Sequence, residues 1–143
     1  MAVYTRKDLL NAVASALSPT LISGGGSARS VYVSDFIKPE DILAESPTLP
    51  TIAVVFLSSS CRPGPYQAYA ERINFGIVAV TRCDIFPQPL DLLEDARPLL
   101  IGKDLGVGTY PPRLESESPV SVRDDFAYAS ANYYLVRYVS LES

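Results

Sequence analysis

The sequence predicts a single α+β domain with a mostly antiparallel central sheet flanked by two main helices. Three observations carry this expectation. Leu9, Leu10, Val13 and Leu17 recur at helical spacing, and so do Leu92, Leu93, Ala96, Leu99 and Leu100. The run Thr51–Leu57 is apolar at successive positions, as a strand covered on both faces requires. Two long stretches, around Ile73–Val80 and Tyr133–Val139, alternate with the two-residue period of a strand. Helices and antiparallel strands that are segregated along the chain form α+β domains.

The first helix is expected over Thr5–Leu17. Thr5 is placed to cap it, with Asp8 at the third helical position as in a capping box. Ser18-Pro19 should end it, because proline disfavours helix at the residue before it. Ser23–Ser27, with three central glycines, reads as a surface loop, and Val31–Val33 as a short strand. The stretch Ile37–Pro50, with prolines at 39, 47 and 50, reads as loop with one helical turn at Glu40–Ala44.

Thr51–Leu57 is the central strand, followed by a turn-rich tip over Ser58–Pro65. A second long strand follows over Ala68–Arg82. It places Ile73, Phe75, Ile77 and Ala79 on one face, and Asn74, Gly76, Val78 and Val80 on the other. Pro87–Ile101 is the second helix; Pro98 should kink or split it, and Gly102 should stop it. Arg113–Val122 and Asn132–Leu141 read as the closing strands, with Asp124-Asp125 and Ala127–Ser130 as the turn region between them. The order is helix, short strand, hairpin, helix, hairpin, with no internal repeat and no linker within the 143 residues.

Composition narrows the function classes. The formal charge is −4, and apart from Arg6-Lys7 the basic residues are scattered singly, so the cationic stripe of a nucleic-acid binder is missing. Such a surface lets DNA slide past without sticking. No apolar run reaches the roughly 18 residues of a spanning helix, and the N-terminus does not read as a signal peptide, so no membrane partner is expected. Synthesis and use in a cytoplasm follow from the same reading.

The chain has no histidine. That removes the usual general base, the Ser–His and Cys–His nucleophile pairs and the commonest zinc ligand. Cys61 and Cys83 form no metal-binding spacing; they are expected as free thiols, with a transient pair open if their strands lie side by side. The carboxylate pairs Glu40-Asp41, Glu94-Asp95, Glu115 with Glu117, and Asp124-Asp125 sit beside turns or on polar faces and read as solvated surface. Gly24–Gly26 follows a helix and lacks the strand before and the lysine in register that a phosphate cradle needs. No catalytic residue, cofactor or metal is expected. Nine tyrosines are the most notable feature left: core and edge packing explains part of them, and burial against another protein the rest.

The layout as a whole resembles the phage tail terminator and tail-completion proteins of long-tailed phages and phage-like contractile particles. The features carrying the likeness are the opening helix Thr5–Leu17, the core strand Pro50–Leu57 and the long strand Arg72–Arg82 (RINFGIVAVTR). The Leu-Leu helix Asp91–Leu100 and the closing strand Tyr133–Val139 (YYLVRYV) complete it. No diagnostic motif is involved.

The resemblance implies a virion structural protein whose fold is like that of the tail tube subunit. Its partners would be itself, as a hexameric ring, the tail tube protein it caps and the neck or head connector that docks on it. DNA would pass through the lumen without specific binding. Cys61, Arg62, Tyr66 and Tyr69, with the Ile37–Pro50 loop, are candidates for subunit or tube contacts. Glu115, Glu117, Asp124 and Asp125 are candidates for acidic groups facing the lumen. Competing readings are another neck or head–tail joining protein of the same particle, a small ligand-binding domain with a deep apolar pocket, and a histidine-free enzyme using carboxylates or Cys61.

Overall fold

The computed structural model describes residues 4–22, 28–45, 47–63, 68–83 and 88–140. Helix α1 spans Arg6–Leu21, and its start is the expected capping box. The Thr5 backbone N–H donates to Asp8 Oδ2 at 2.8 Å, and the Asp8 N–H donates to Thr5 Oγ1 at 3.1 Å. Contrary to expectation, the helix runs through Pro19 and closes one turn later. Leu21 extends the Leu9, Leu10, Val13, Leu17 stripe by four residues and is buried, so packing of that last turn outweighs the lost backbone donor.

Strand β1 (Ser30–Ser34) follows, then the short helix α2 (Pro39–Ala44), matching the helical turn expected there. Strands β2 (Thr51–Pro63) and β3 (Ala68–Arg82) form a long antiparallel hairpin. The expected tip over Ser58–Pro65 is corrected here: Ser58–Pro63 continue the strand. A register shift between Phe56 and Ser58 lets the polar half pair on against β3. Residues 64 and 65 lie outside the described residues, as do the glycine loop 23–27 and Pro87.

Helix α3 spans Pro89–Leu100 as one helix with Pro98 inside its last turn, unsplit. Ile101 caps it and Gly102 follows at φ +75°, the left-handed position at which glycine ends helices. The expected strand Arg113–Val122 is two: β4 (Arg113–Glu117) and β5 (Ser121–Arg123), interrupted around Pro119, which has no N–H for a ladder. Strand β6 runs over Phe126–Ser140, so Ala127–Ser130 are strand and not turn. The turn is Asp124-Asp125 alone, with Asp124 at φ +56° and Arg123 paired to Phe126. Residues 141–143 lie outside the described residues.

The sheet order is β1-β2-β3-β6-β4, with β5 also on β6. All pairs are antiparallel except β1–β2. Helices α1 and α3 cover one face together. There Leu9, Val13, Leu17, Leu92, Leu93, Ala96 and Leu100 meet Ile52, Val54, Ile73, Phe75, Ile77, Tyr133 and Leu135. On the opposite face α2 covers one end, where Ile42 packs with Ala53, Val55, Val78 and Val80. Thr51–Val55 are therefore buried on both faces, as the unbroken apolar run requires.

Candidate protein–protein interface

Among the described residues no helix covers the rest of the second face. The register puts Ser58 beside Asn74, Ser60 beside Arg72 and Arg62 beside Ala70, and then Asn74, Arg72 and Ala70 beside Tyr134, Val136 and Tyr138. Because side chains alternate, these residues share the face that α1 and α3 leave open. Arg72 organises its centre. Its guanidinium lies 3.9 Å from the centroid of the Tyr134 ring, its Nε donates to Asn74 Oδ1 at 3.0 Å, and its Nη2 is 2.9 Å from Glu115 Oε2. Asn74 Nδ2 donates onward to Ser58 Oγ at 2.9 Å.

The stretch before β4 prolongs this surface. The Tyr110 N–H donates to the Val136 carbonyl at 2.9 Å, and the Tyr110 ring meets Tyr138 edge-on at a centroid distance of 6.0 Å. Both tyrosines are 58% exposed. Arg113, opposite Tyr134 in the ladder, is exposed as well. The result is an open groove lined by Arg62, Arg72, Tyr134, Val136 and Tyr138, and a neighbouring one that shares Tyr134 and Val136 and is lined by Tyr110, Pro111 and Arg113. Arginine and tyrosine in this density are the composition of contact surfaces between proteins. Scattered singly along the chain, the three arginines gave no sign of this cluster; only the β2–β3–β6–β4 register gathers them.

The residues singled out from the sequence are not brought together. Arg62 faces the groove, whereas Cys61 and Tyr69, on the other parity of β2 and β3, face the opposite side. Tyr66 lies outside the described residues. Glu115 is paired to Arg72 on the open face. Glu117 is on the helix side, where Arg97 of α3 holds it at 2.5 Å through Nη2 and 2.6 Å through Nε. Asp124 and Asp125 stand exposed at the β5–β6 turn, at the far end of β6 from Arg62. Cys61 and Cys83 are both exposed free thiols at opposite ends of the hairpin, since Cys61 pairs with Glu71 and Cys83 follows Arg82. At about 3.3 Å per residue that is roughly 40 Å of strand, so their strands are neighbours but the thiols are not.

Two tyrosines are shifted. Burial pushes the Tyr133 hydroxyl up to about 12, with the charge of Glu117 adding to it. Burial also raises Tyr32 to about 12, followed by the charge and hydrogen bond of Glu45. Each shift is accounted for by burial and one neighbouring carboxylate. Among the described residues no group of three or more Cys, Asp or Glu side chains is placed to hold a metal. The apolar cleft beside α2, over Val55, Gly76 and Val78, holds about 190 Å³, below the range of about 300–1,000 Å³ typical of ligand pockets, whereas the arginine–tyrosine groove holds about 660 Å³ and falls within it. Among the described residues no helix is long and apolar enough to cross a membrane.

No protein-family model and no curated protein matches the chain. Among solved structures its fold is similar to that of a chain in the virion of a native gene transfer agent particle. The TM-score is 0.52 at 16% identity, over 90% of this chain and 96% of that one. At that identity the likeness is one of fold.

Proposed function

We propose that this chain is a structural virion protein of a phage-like particle, and that it acts as a ring-forming tail terminator. In this reading a hexameric ring caps the finished tail tube, ends its polymerisation and presents a face to the neck or head connector. The single observation that carries it is the end-to-end fold likeness to a virion chain of a gene transfer agent particle. The open, arginine- and tyrosine-rich sheet face supports a role in contact with other subunits. The acidic balance of −4 suits a passage for DNA that binds none of it. The chain is non-enzymatic in this reading and resides in the tail or neck of the virion.

A ring closes only if each subunit carries two different, complementary patches. The mass of the purified protein by light scattering, with negative-stain images, tests this. Rings, formed alone or on added tail tubes, support the terminator. A monomer that ignores tubes overturns it. A related reading, a neck or head–tail joining protein, shares the same fold likeness and separates from the terminator by binding portal rather than tube.

A further inference from the structure

The open groove and the β5–β6 turn have complementary charge. Arg62 and Arg113 stand at the two ends of the groove, both exposed and neither in an ion pair among the described residues, flanking the exposed Tyr110–Tyr138 pair. Arg72 between them is already matched by Glu115. The groove therefore carries two uncompensated positive charges within a chain of net charge −4. At the other end of β6, Asp124 and Asp125 form a two-residue turn between paired strands. Both carboxylates are exposed and make no hydrogen bond or ion pair among the described residues. The turn's main chain is held, because the Cys83 N–H donates to the Asp125 carbonyl at 3.0 Å.

The two features cannot meet inside one molecule. Asp125 precedes β6 and Tyr138 lies near its far end, so roughly 40 Å of extended strand separates them at about 3.3 Å per residue. We infer that the groove receives the Asp124-Asp125 turn of a second copy of this chain, and that this is the head-to-tail contact of the assembly. A narrow, backbone-anchored turn fits an open groove, and its two carboxylates meet two unmatched guanidinium groups. Arginine presents a planar fork suited to a carboxylate, and the tyrosine pair supplies apolar area at small entropic cost. Turn and groove are different patches, so the contact is heterologous and propagates around a ring. This inference rests on the ring reading and assigns Asp124 and Asp125 to the subunit contact rather than to the lumen.

Charge reversal in the full chain tests it. One variant carries Arg62→Glu and Arg113→Glu. The other carries Asp124→Asn and Asp125→Lys, asparagine being tolerated at the positive φ of position 124. All four positions are exposed, and circular dichroism checks that each variant folds. Each variant alone should assemble at least about tenfold more weakly than the parent, because like charges then face each other. An equimolar mixture should recover assembly, since each acidic turn again meets a basic groove. Unchanged assembly of either variant alone, or no recovery on mixing, overturns the inference while leaving the ring itself standing. A parent chain that forms no assembly under any condition overturns both.

Discussion

Glu71 and Arg137 face each other across the β3–β6 ladder, with Arg137 Nε 2.7 Å from Glu71 Oε1. Glu71 is only 4% exposed, the one buried carboxylate among the described residues. The same carboxylate has Arg6 Nη2 at 3.5 Å, and Arg137 also donates to the Tyr4 carbonyl. One charge on β3 thus ties the start of α1 to the end of the sheet. Removing it strands the half-buried Arg137 guanidinium. Glu71→Gln should lower unfolding stability by about 2–4 kcal/mol. Urea denaturation measures this, and hydrogen exchange should show faster opening at the first turn of α1 than at α3.

Tyr133 stacks on Phe75 across the same ladder at 5.6 Å, and its buried hydroxyl has no hydrogen-bond partner among the described residues. Replacing a buried, unpartnered hydroxyl with hydrogen removes a desolvation cost, so Tyr133→Phe should leave stability unchanged or raise it by about 1 kcal/mol. A thermal melt at neutral pH decides this, and a loss above that size would mean the hydroxyl has a partner.

The raised values of Tyr133 and Tyr32 fix the sign of the alkaline response. Both titrate near 12 when folded and at the ordinary 10.0 when unfolded. Their contribution is fully present below pH 10. Above it the unfolded chain ionises first, and stability falls as pH rises through 12. Chemical denaturation at pH 9 and pH 11.5 should show this loss. The Tyr32→Phe, Tyr133→Phe double variant should lose distinctly less between the two.

Pro19 interrupts the backbone hydrogen bonds of α1 at an exposed site while Leu17 and Leu21 on either side stay buried. Pro19→Ala restores a donor without disturbing the core. The gain is offset by the greater freedom of the unfolded chain, leaving a net stabilisation of about 1–2 kcal/mol. A rise in the thermal midpoint checks it; a fall would mean that the proline sets the geometry of the turn that follows.

Cys61 and Cys83 lie too far apart to bridge within one subunit. Mild oxidation should yield free thiols or crosslinked oligomers and no intrachain disulfide. Non-reducing electrophoresis of the oxidised protein reads this directly, since an intrachain bond would give a faster-migrating monomer.

Local patterns specify much of this protein. The Thr5–Asp8 box, the leucine stripes of α1 and α3, the doubly buried Thr51–Val55 and the alternation of β3 and β6 are all short-range consequences of side-chain period and capping chemistry. Fold class and element order follow from them. Three other features depend on what each segment packs against. Leu21 keeps α1 helical past Pro19 because a buried site awaits it on the sheet. Ser58–Pro63, polar and rich in turn residues, is held as strand because β3 offers a continuous ladder. Ala127–Ser130, read locally as turn, pairs as strand with Val78–Thr81. The interface also lies beyond local reading. Arg62, Arg72 and Arg113 are scattered in the chain, and only long-range strand register sets them on one face with Tyr110, Tyr134 and Tyr138. Side-chain period determines which residues share a strand face; which strands are neighbours is decided by the closure of the whole sheet.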